Sequence, residues 1–311
     1  MKKKNIFPIV IILSVLTIMP LITKAKSILN RHDPSGSIAY NYSGNSVEIY
    51  KLSQEINNIK TSEYPIFVSE LNNGIIYFTE TKKGGQSITN KDFYFSRFDS
   101  TTSTWEKPFN IKEEYDKFIE INKKMNFSEI FISINYDIYR VDFKNKDFSA
   151  QKINVNSKYI ETSPCISEDG GSLYFVSDRK DGFGGKDIWV SERLSNNRWA
   201  KPQNLGKEIN TKNNEESPFL MSDRTTLYFS SKGHNGIGGY DIFVSTLDEQ
   251  GFWSNPDNLG DPVNSTSDDM YYIADSYGNM AYYSSDKADK HNQDIFYVKY
   301  NTIYRVKSNV K

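Results

Sequence analysis

The chain has 311 residues, 37% of them hydrophobic and 25% charged, with a formal net charge of −1. That balance excludes a disordered chain, and the absence of a basic excess argues against a nucleic-acid-binding protein. The 21 tyrosines and 19 phenylalanines favour strands, and a single cysteine, Cys165, excludes an internal disulfide.

In chain order, Met1 to Lys4 are a positive segment and Ile6 to Ile22 an apolar run interrupted by Pro8 and Pro20. Thr23-Lys24-Ala25 then places small residues at the −3 and −1 positions of a cleavage site. This predicts a secretory signal peptide over 1–25. The alternative is an uncleaved anchor, for which the run is short against the roughly 20 apolar residues of a span. No cysteine follows the run to carry a lipid, and no second apolar stretch could cross a membrane.

The remainder, 26–311, reads as a repeat. Ser163-Pro164, Leu173-Tyr174-Phe175, Gly184-Gly185, Asp187-Ile188, Trp199 and Asn204-Leu205-Gly206 return 54 residues later as Ser217-Pro218, Leu227-Tyr228-Phe229, Gly238-Gly239, Asp241-Ile242, Trp253 and Asn258-Leu259-Gly260. A shorter marker, acidic then apolar then aromatic, counts the units. It stands at Glu48-Ile49-Tyr50, Asp92-Phe93-Tyr94, Asp137-Ile138-Tyr139, Asp187-Ile188-Trp189, Asp241-Ile242-Phe243 and Asp294-Ile295-Phe296. An apolar-aromatic triplet precedes each. Six units are therefore expected, at approximately 26–60, 61–112, 113–158, 159–213, 214–267 and 268–311.

In the fourth unit, Pro164 to Ser167 reads as strand a, Asp169-Gly170-Gly171 as a tight turn and Ser172 to Ser177 as strand b. A glycine-rich loop leads to strand c at Asp187 to Arg193. Trp199 begins a short strand d, limited by Pro202. Ile111 to Lys124 is the best helical candidate and reads as a blade linker with a single turn. Units of about 50 residues with four strands predict an all-β, six-bladed β-propeller of four-stranded antiparallel blades, because blades packed radially bury faces that one small sheet cannot bury alone. A solenoid is the rival. Ile303 to Lys307 is expected to finish the last blade or pair beside the first.

The stretch Ser163 to Arg179, followed by Gly184-Gly185-Lys186-Asp187-Ile188-Trp189, resembles the TolB-type propeller repeat. The fifth unit keeps most of that pattern but lacks the glycine after Asp223. The resemblance implies a six-bladed propeller in the envelope of a diderm bacterium, exported to the periplasm or outer membrane, and relatives that often act as scaffolds.

The recurring marker Asp suggests a structural acceptor for loop N–H groups, since a catalytic residue is needed once and not in every blade. Asp178, Asp181 and Asp187 could ligate calcium, but only Asp241 survives in the next unit, so neither a metal nor another cofactor is expected. His32, His234 and His291 lack metal-ligand spacing. Cys165 is expected to be a buried apolar filler. No catalytic residue is assigned. The b–c and d–a loops of a propeller share one rim, and there Arg179, Lys180, Phe183, Lys232 and His234 are expected to form an exposed contact patch. The expected function is a monomeric, non-catalytic binding module for an envelope protein or glycan. A glycosidase-like hydrolase using the central channel is the alternative.

Overall fold

The computed structural model describes residues 31–32, 38–41 and 47–300, apart from 59, 70–73, 84–85, 100, 103, 126–128, 143–149 and 289. The leader reading of 1–25 and the strand expected at Ile303 to Lys307 lie outside the described residues.

The chain opens with β1 (Arg31–His32), β2 (Ile38–Asn41) and β3 (Val47–Lys51). Blade 1 holds β4 (Ser62–Ser69), β5 (Gly74–Lys83), β6 (Gln86–Asp99), β7 (Thr104–Trp105) and β8 (Phe109–Asn110). The helix α1 (Tyr115–Met125) follows. Blade 2 holds β9 (Glu129–Ile134), β10 (Asp137–Asp142) and β11 (Ala150–Lys152). Blade 3 holds β12 (Glu161–Ile166), β13 (Ser172–Ser177), β14 (Asp187–Glu192) and β15 (Gln203–Asn204). Blade 4 repeats it with β16 (Glu215–Leu220), β17 (Thr226–Ser231), β18 (Asp241–Thr246) and β19 (Asp257–Asn258). Blade 5 holds β20 (Asp269–Ala274), β21 (Met280–Ser285) and β22 (Asp294–Tyr300).

The described strands form five antiparallel sheets, not six. The first and sixth expected units are one sheet, because β3 pairs with β22 with Tyr50 opposite Tyr297. β3 therefore serves as strand d of blade 5, with β2 and β1 added outside it. Leu52 N–H donates to Ile295 O at 3.0 Å, as Leu205 does to Ile188 O and Leu259 to Ile242 O after the strands d of blades 3 and 4. The Asn57 side chain clamps Ile295 N and O, as Asn210 clamps Ile188 and Asn264 clamps Ile242. The marker Glu48-Ile49-Tyr50 has the pattern of a strand c but fills a strand-d position, between β22 and β2. There the backbone ladder selects the partner, and many side-chain patterns fit.

Blades 3 and 4 have the expected four strands, and blade 5 reaches four with β3 before β2 and β1 extend it. Blade 2 has three. The register of β9 on β10 matches that of β13 on β14, so β9 is a strand b, and among the described residues blade 2 shows no strand a. The segment where strand a was due is α1, eleven residues in place of the single expected turn. Asn110 Oδ1 accepts from Lys112 N and Glu113 N at the chain's entry to the helix. Ile111, Tyr115, Phe118 and Ile119 are spaced i, i+4, i+7, i+8, which puts them on one side of the helical path. Phe118 is fully buried among residues of blades 1 and 2.

Five apolar clusters occupy the five junctions between neighbouring blades. Phe131, Leu173 and Trp189 join blades 2 and 3, and Val176, Ile188 and Phe229 join blades 3 and 4. Ile242, Tyr272 and Phe296 join blades 4 and 5, and Ile75, Tyr77 and Tyr282 join blade 5 to blade 1. The fifth cluster, around Phe118, joins blade 1 to blade 2. The sheets thus close into a five-bladed propeller. A strand b buried on both faces explains the unbroken run Leu173 to Val176, since each face meets another blade.

Strand a carries the same kink in blades 3, 4 and 5. Ser163, Ser217 and Tyr271 have φ of 48°, 54° and 55°, each inside a register shift. The turn after β16 places Arg224 at φ 58°, where blade 3 has Gly170. Arg224 pairs with Asp169 of the preceding blade.

Candidate functional site

The b–c and d–a connections meet on one rim. Their architecture follows from the marker aspartate. Asp187 Oδ2 accepts from Phe183 N and from Asn204 Nδ2, and Asp241 Oδ2 accepts from Ile237 N and Gly238 N. The aspartates are the structural acceptors expected from their repetition. Burial raises the pKa of Asp187, against the lowering effect of the Phe183 N–H. Asp178, another of the weighed calcium ligands, accepts from Ile160 N. The paired glycines answer a close approach: a Cβ on Gly184 would stand 2.3 Å from Thr211 O, and one on Gly238 2.3 Å from Ser265 O. The d–a loops that follow blades 3 and 4 therefore lie directly against the glycine-rich loops of those blades.

The cations of this rim do not all face solvent. Arg179 lies 5.2 Å over Phe175 and 5.6 Å over Trp189, and donates to Val155 O and to Glu161. His234 packs at 5.8 Å from Phe229 and 5.2 Å from Phe243, with Nε2 2.9 Å from Ile209 O. Lys287 lies 4.9 Å over Tyr283 and 4.5 Å over Phe296, with Nζ 3.3 Å from Pro262 O. Each of these blades thus folds one basic side chain onto the aromatic pair of its strands b and c and ties it to the d–a loop. Burial pulls Lys287 down to about 8, with Asp269 and Asp261 opposing.

A buried acid stands at the start of strand a in four blades, as its first residue in blades 3, 4 and 5 and its second in blade 1. Glu161 accepts from Ser157, Ser177 and Arg179, and Glu215 from Thr211 and Ser231. Asp269 accepts from Ser265, and Glu63 from Thr61. Desolvation raises Glu215 and Asp269 and pushes Glu63 up to about 8. One residue further, Glu216 pairs with Lys186 at 2.5 Å and accepts from Ser163 Oγ at 3.2 Å.

Of the five expected contact residues, Lys180, Phe183 and Lys232 are exposed. Lys232 lies 4.2 Å over Tyr240 and 3.4 Å from Asp268. Arg179 and His234 are corrected from exposed to inward-packed, because an aromatic pair and a main-chain carbonyl capture each of them. Two exposed residues of the same rim were missed. Tyr136, 63% exposed, sits in the b–c turn of blade 2, and Ile237, 47% exposed, stands 54 residues after Phe183 at the equivalent position. That offset was the signal that could have found Ile237.

Cys165 is partly buried, and its Sγ faces Leu220 N at 3.4 Å. Burial pushes its thiol up to about 11, away from reactivity. Among the described residues no helix is long and apolar enough to cross a membrane, and no group of three or more metal-ligating side chains is placed to hold an ion.

No protein-family model and no curated protein matches the chain. Solved structures similar to it include TolB from Acinetobacter baumannii, at 15% identity and a TM-score of 0.40, covering 88% of this chain and 63% of that one. Also similar is the endo-arabinase of Bacteroides thetaiotaomicron, at 13% identity and a TM-score of 0.47, covering 78% and 95%. A third is the α-L-arabinofuranosidase of Lactobacillus brevis, at 10% identity and a TM-score of 0.39, covering 83% and 88%. The chain spans less than two thirds of the Acinetobacter protein.

Proposed function

We propose that this chain is an exported, non-catalytic binding module of the bacterial envelope, and that its b–c rim is the recognition face for a protein or glycan partner. The observation that carries the reading is the repeated display of a large apolar side chain. Tyr136, Phe183 and Ile237 project from the b–c connections of three consecutive blades. Each stands on an anchored main chain: Tyr136 O accepts from Glu161 N, Phe183 N donates to Asp187, and Ile237 N donates to Asp241. Rigid apolar anchors flanked by Lys180 and Lys232 suit recognition with little ordering cost. The leader-like segment at 1–25 supports export.

The carboxylates that open strand a support a non-catalytic role. Hydrolysis of a glycoside needs two carboxyl groups facing one cleft. Here Glu161, Glu215 and Asp269 are held by neighbouring hydroxyls and N–H groups, and Glu216 is held by Lys186 and Ser163.

The test is a pull-down from an envelope fraction with the mature chain. The Phe183→Ala/Ile237→Ala double variant should lose the recovered partner, while Leu194→Ala/Phe252→Ala, exposed positions in the c–d turns, should keep it. Equal recovery with both double variants would reject the rim. Turnover of a glycoside panel, abolished by Glu216→Gln, would favour the channel hydrolase instead.

A further inference from the structure

We propose that the inner edge of β9 is a docking site for an extended, uncharged peptide strand, which completes blade 2 as its strand a. The site uses none of the exposed rim residues and stands independently of the reading above. In the other four blades strand b is covered on its inner side by an antiparallel strand a: β5 by β4, β13 by β12, β17 by β16 and β21 by β20. Among the described residues β9 has β10 on one side and no strand on the other.

The hairpin fixes which main-chain groups are left over. Asn135 and Tyr136 have φ of 50° and 65°, a tight turn that makes Ile134 and Asp137 a hydrogen-bonded pair. Bonded and non-bonded pairs alternate along an antiparallel ladder. The N–H and C=O groups of Ile130, Ile132 and Ile134 therefore face β10, and those of Phe131 and Ser133 face away from it. Ile138, opposite Ser133, agrees, since its own N–H and C=O are turned the other way, to Asn156. The main-chain groups of Phe131 and Ser133 meet no partner among the described residues. Solvent reaches this end of the strand. Ser133 and Ile134 are partly exposed, whereas the residues at their places in blade 3, Val176 and Ser177, and in blade 5, Ser284 and Ser285, are buried. The helix α1 takes the place of strand a in the chain but not in the ladder. Its Phe118 shares a cluster with the side chains of Ile130 and Ile132, which stand on a face of the sheet and not on its edge.

The four existing strands a specify the occupant. Each carries an apolar pair opposite the strand b residues equivalent to Phe131 and Ile130: Phe67-Val68, Cys165-Ile166, Phe219-Leu220 and Ile273-Ala274. Blade 2 presents Phe131 and Ile130 there, both among apolar neighbours. At its other end each strand a carries its acid, opposite Thr79, Ser177, Ser231 or Ser285. Ser177 donates to Glu161, and Ser231 to Glu215. Blade 2 has Ile134 at that position, which offers no hydroxyl. A carboxylate set against Ile134 would lose that donor, so the fitting strand is apolar there as well. Main-chain groups then supply the affinity, and alternate side chains the selection.

Amide hydrogen exchange of the whole chain tests this with a synthetic probe, acetyl-Leu-Met-Tyr-Tyr-Ile-Ala-amide, which is strand a of blade 5 with leucine in place of its acid. In the free chain the amides of Phe131 and Ser133 should exchange much faster than that of Ile132. Saturating probe should slow both by roughly tenfold or more. The peptide that keeps aspartate at its first position should bind roughly tenfold more weakly. Ser133→Pro removes one edge donor without touching the β10 ladder and should abolish binding, whereas Ser133→Ala should keep it. Phe183→Ala/Ile237→Ala should also keep it, which separates this site from the rim. If Ser133→Pro does not fold, probes methylated on alternate nitrogens replace it, and the set whose methyl groups face β9 should fail to bind. Slow exchange at Phe131 and Ser133 in the free chain, as a second copy or another part of this chain on that edge would cause, would overturn the assignment. So would absence of protection by the probe, equal affinity for the aspartate peptide, full affinity in Ser133→Pro, or binding of both methylated sets.

Discussion

Arg179 Nη2 lies 3.0 Å from Oε1 of Glu161, a carboxylate with no exposed surface, and the same guanidinium reaches Val155 O and covers Phe175 and Trp189. A residue that looks like a surface contact is therefore a bolt between strand a, strand b and the d–a loop. Removing one partner of a buried ion pair leaves the other charge uncompensated, at a cost of about 3 kcal/mol. Arg179→Ala should lower the stability measured by urea unfolding by about that amount. The double variant Arg179→Met/Glu161→Gln should recover much of it.

Glu63 holds the equivalent place in blade 1, but its Oε2 is buried with no partner. Burial lifts its pKa from 4.5 to about 8. Below about pH 4.5 the folded and unfolded chains both hold the proton, and the group's contribution is complete. As pH rises towards 8, the unfolded chain releases its proton first, and stability is lost. The loss is roughly 5 kcal/mol as an upper value. Glu63→Gln should remove this part of the pH dependence, so that the variant gains on the parent between pH 4.5 and 8. Parallel unfolding curves across that range would show that burial does not shift this group.

Ring closure by β3 can be tested at Asn57. Its side chain donates to Leu52 O and Ile295 O and accepts from Ile295 N. Asn57→Ala takes this partner from Ile295 N and Leu52 O, while Ile295 O keeps the Leu52 N–H, at a cost of about 2–3 kcal/mol. The Ile295 amide should then exchange hydrogen much faster, although it lies 238 residues away in sequence. Unchanged exchange at Ile295 would contradict the five-bladed closure.

Phe118 is fully buried where α1 stands in for strand a of blade 2. Phe118→Ala should cost about 3–4 kcal/mol by the cavity it leaves. The loss of far-ultraviolet helical signal should precede that of the strands, because an eleven-residue helix has little stability without packing.

The repeat, the antiparallel strands, the tight turns and the acceptor role of the marker aspartates were all legible in the amino-acid sequence. Each depends on neighbours within about ten residues, such as Phe183 and Asp187, or on a period that recurs. The start of α1 was partly legible, since Ile111, Tyr115, Phe118 and Ile119 follow a helical spacing. Blade number was decided only by tertiary structure. Val47 to Lys51 could have been a strand c of its own blade, and what makes it strand d of blade 5 is the open backbone edge of β22, whose N–H and C=O groups carry no side-chain code. The direction of Arg179 and His234 was decided the same way. Their polar partners, Val155 O and Ile209 O, lie 24 and 25 residues away, and only the folded ring brings those carbonyls within reach.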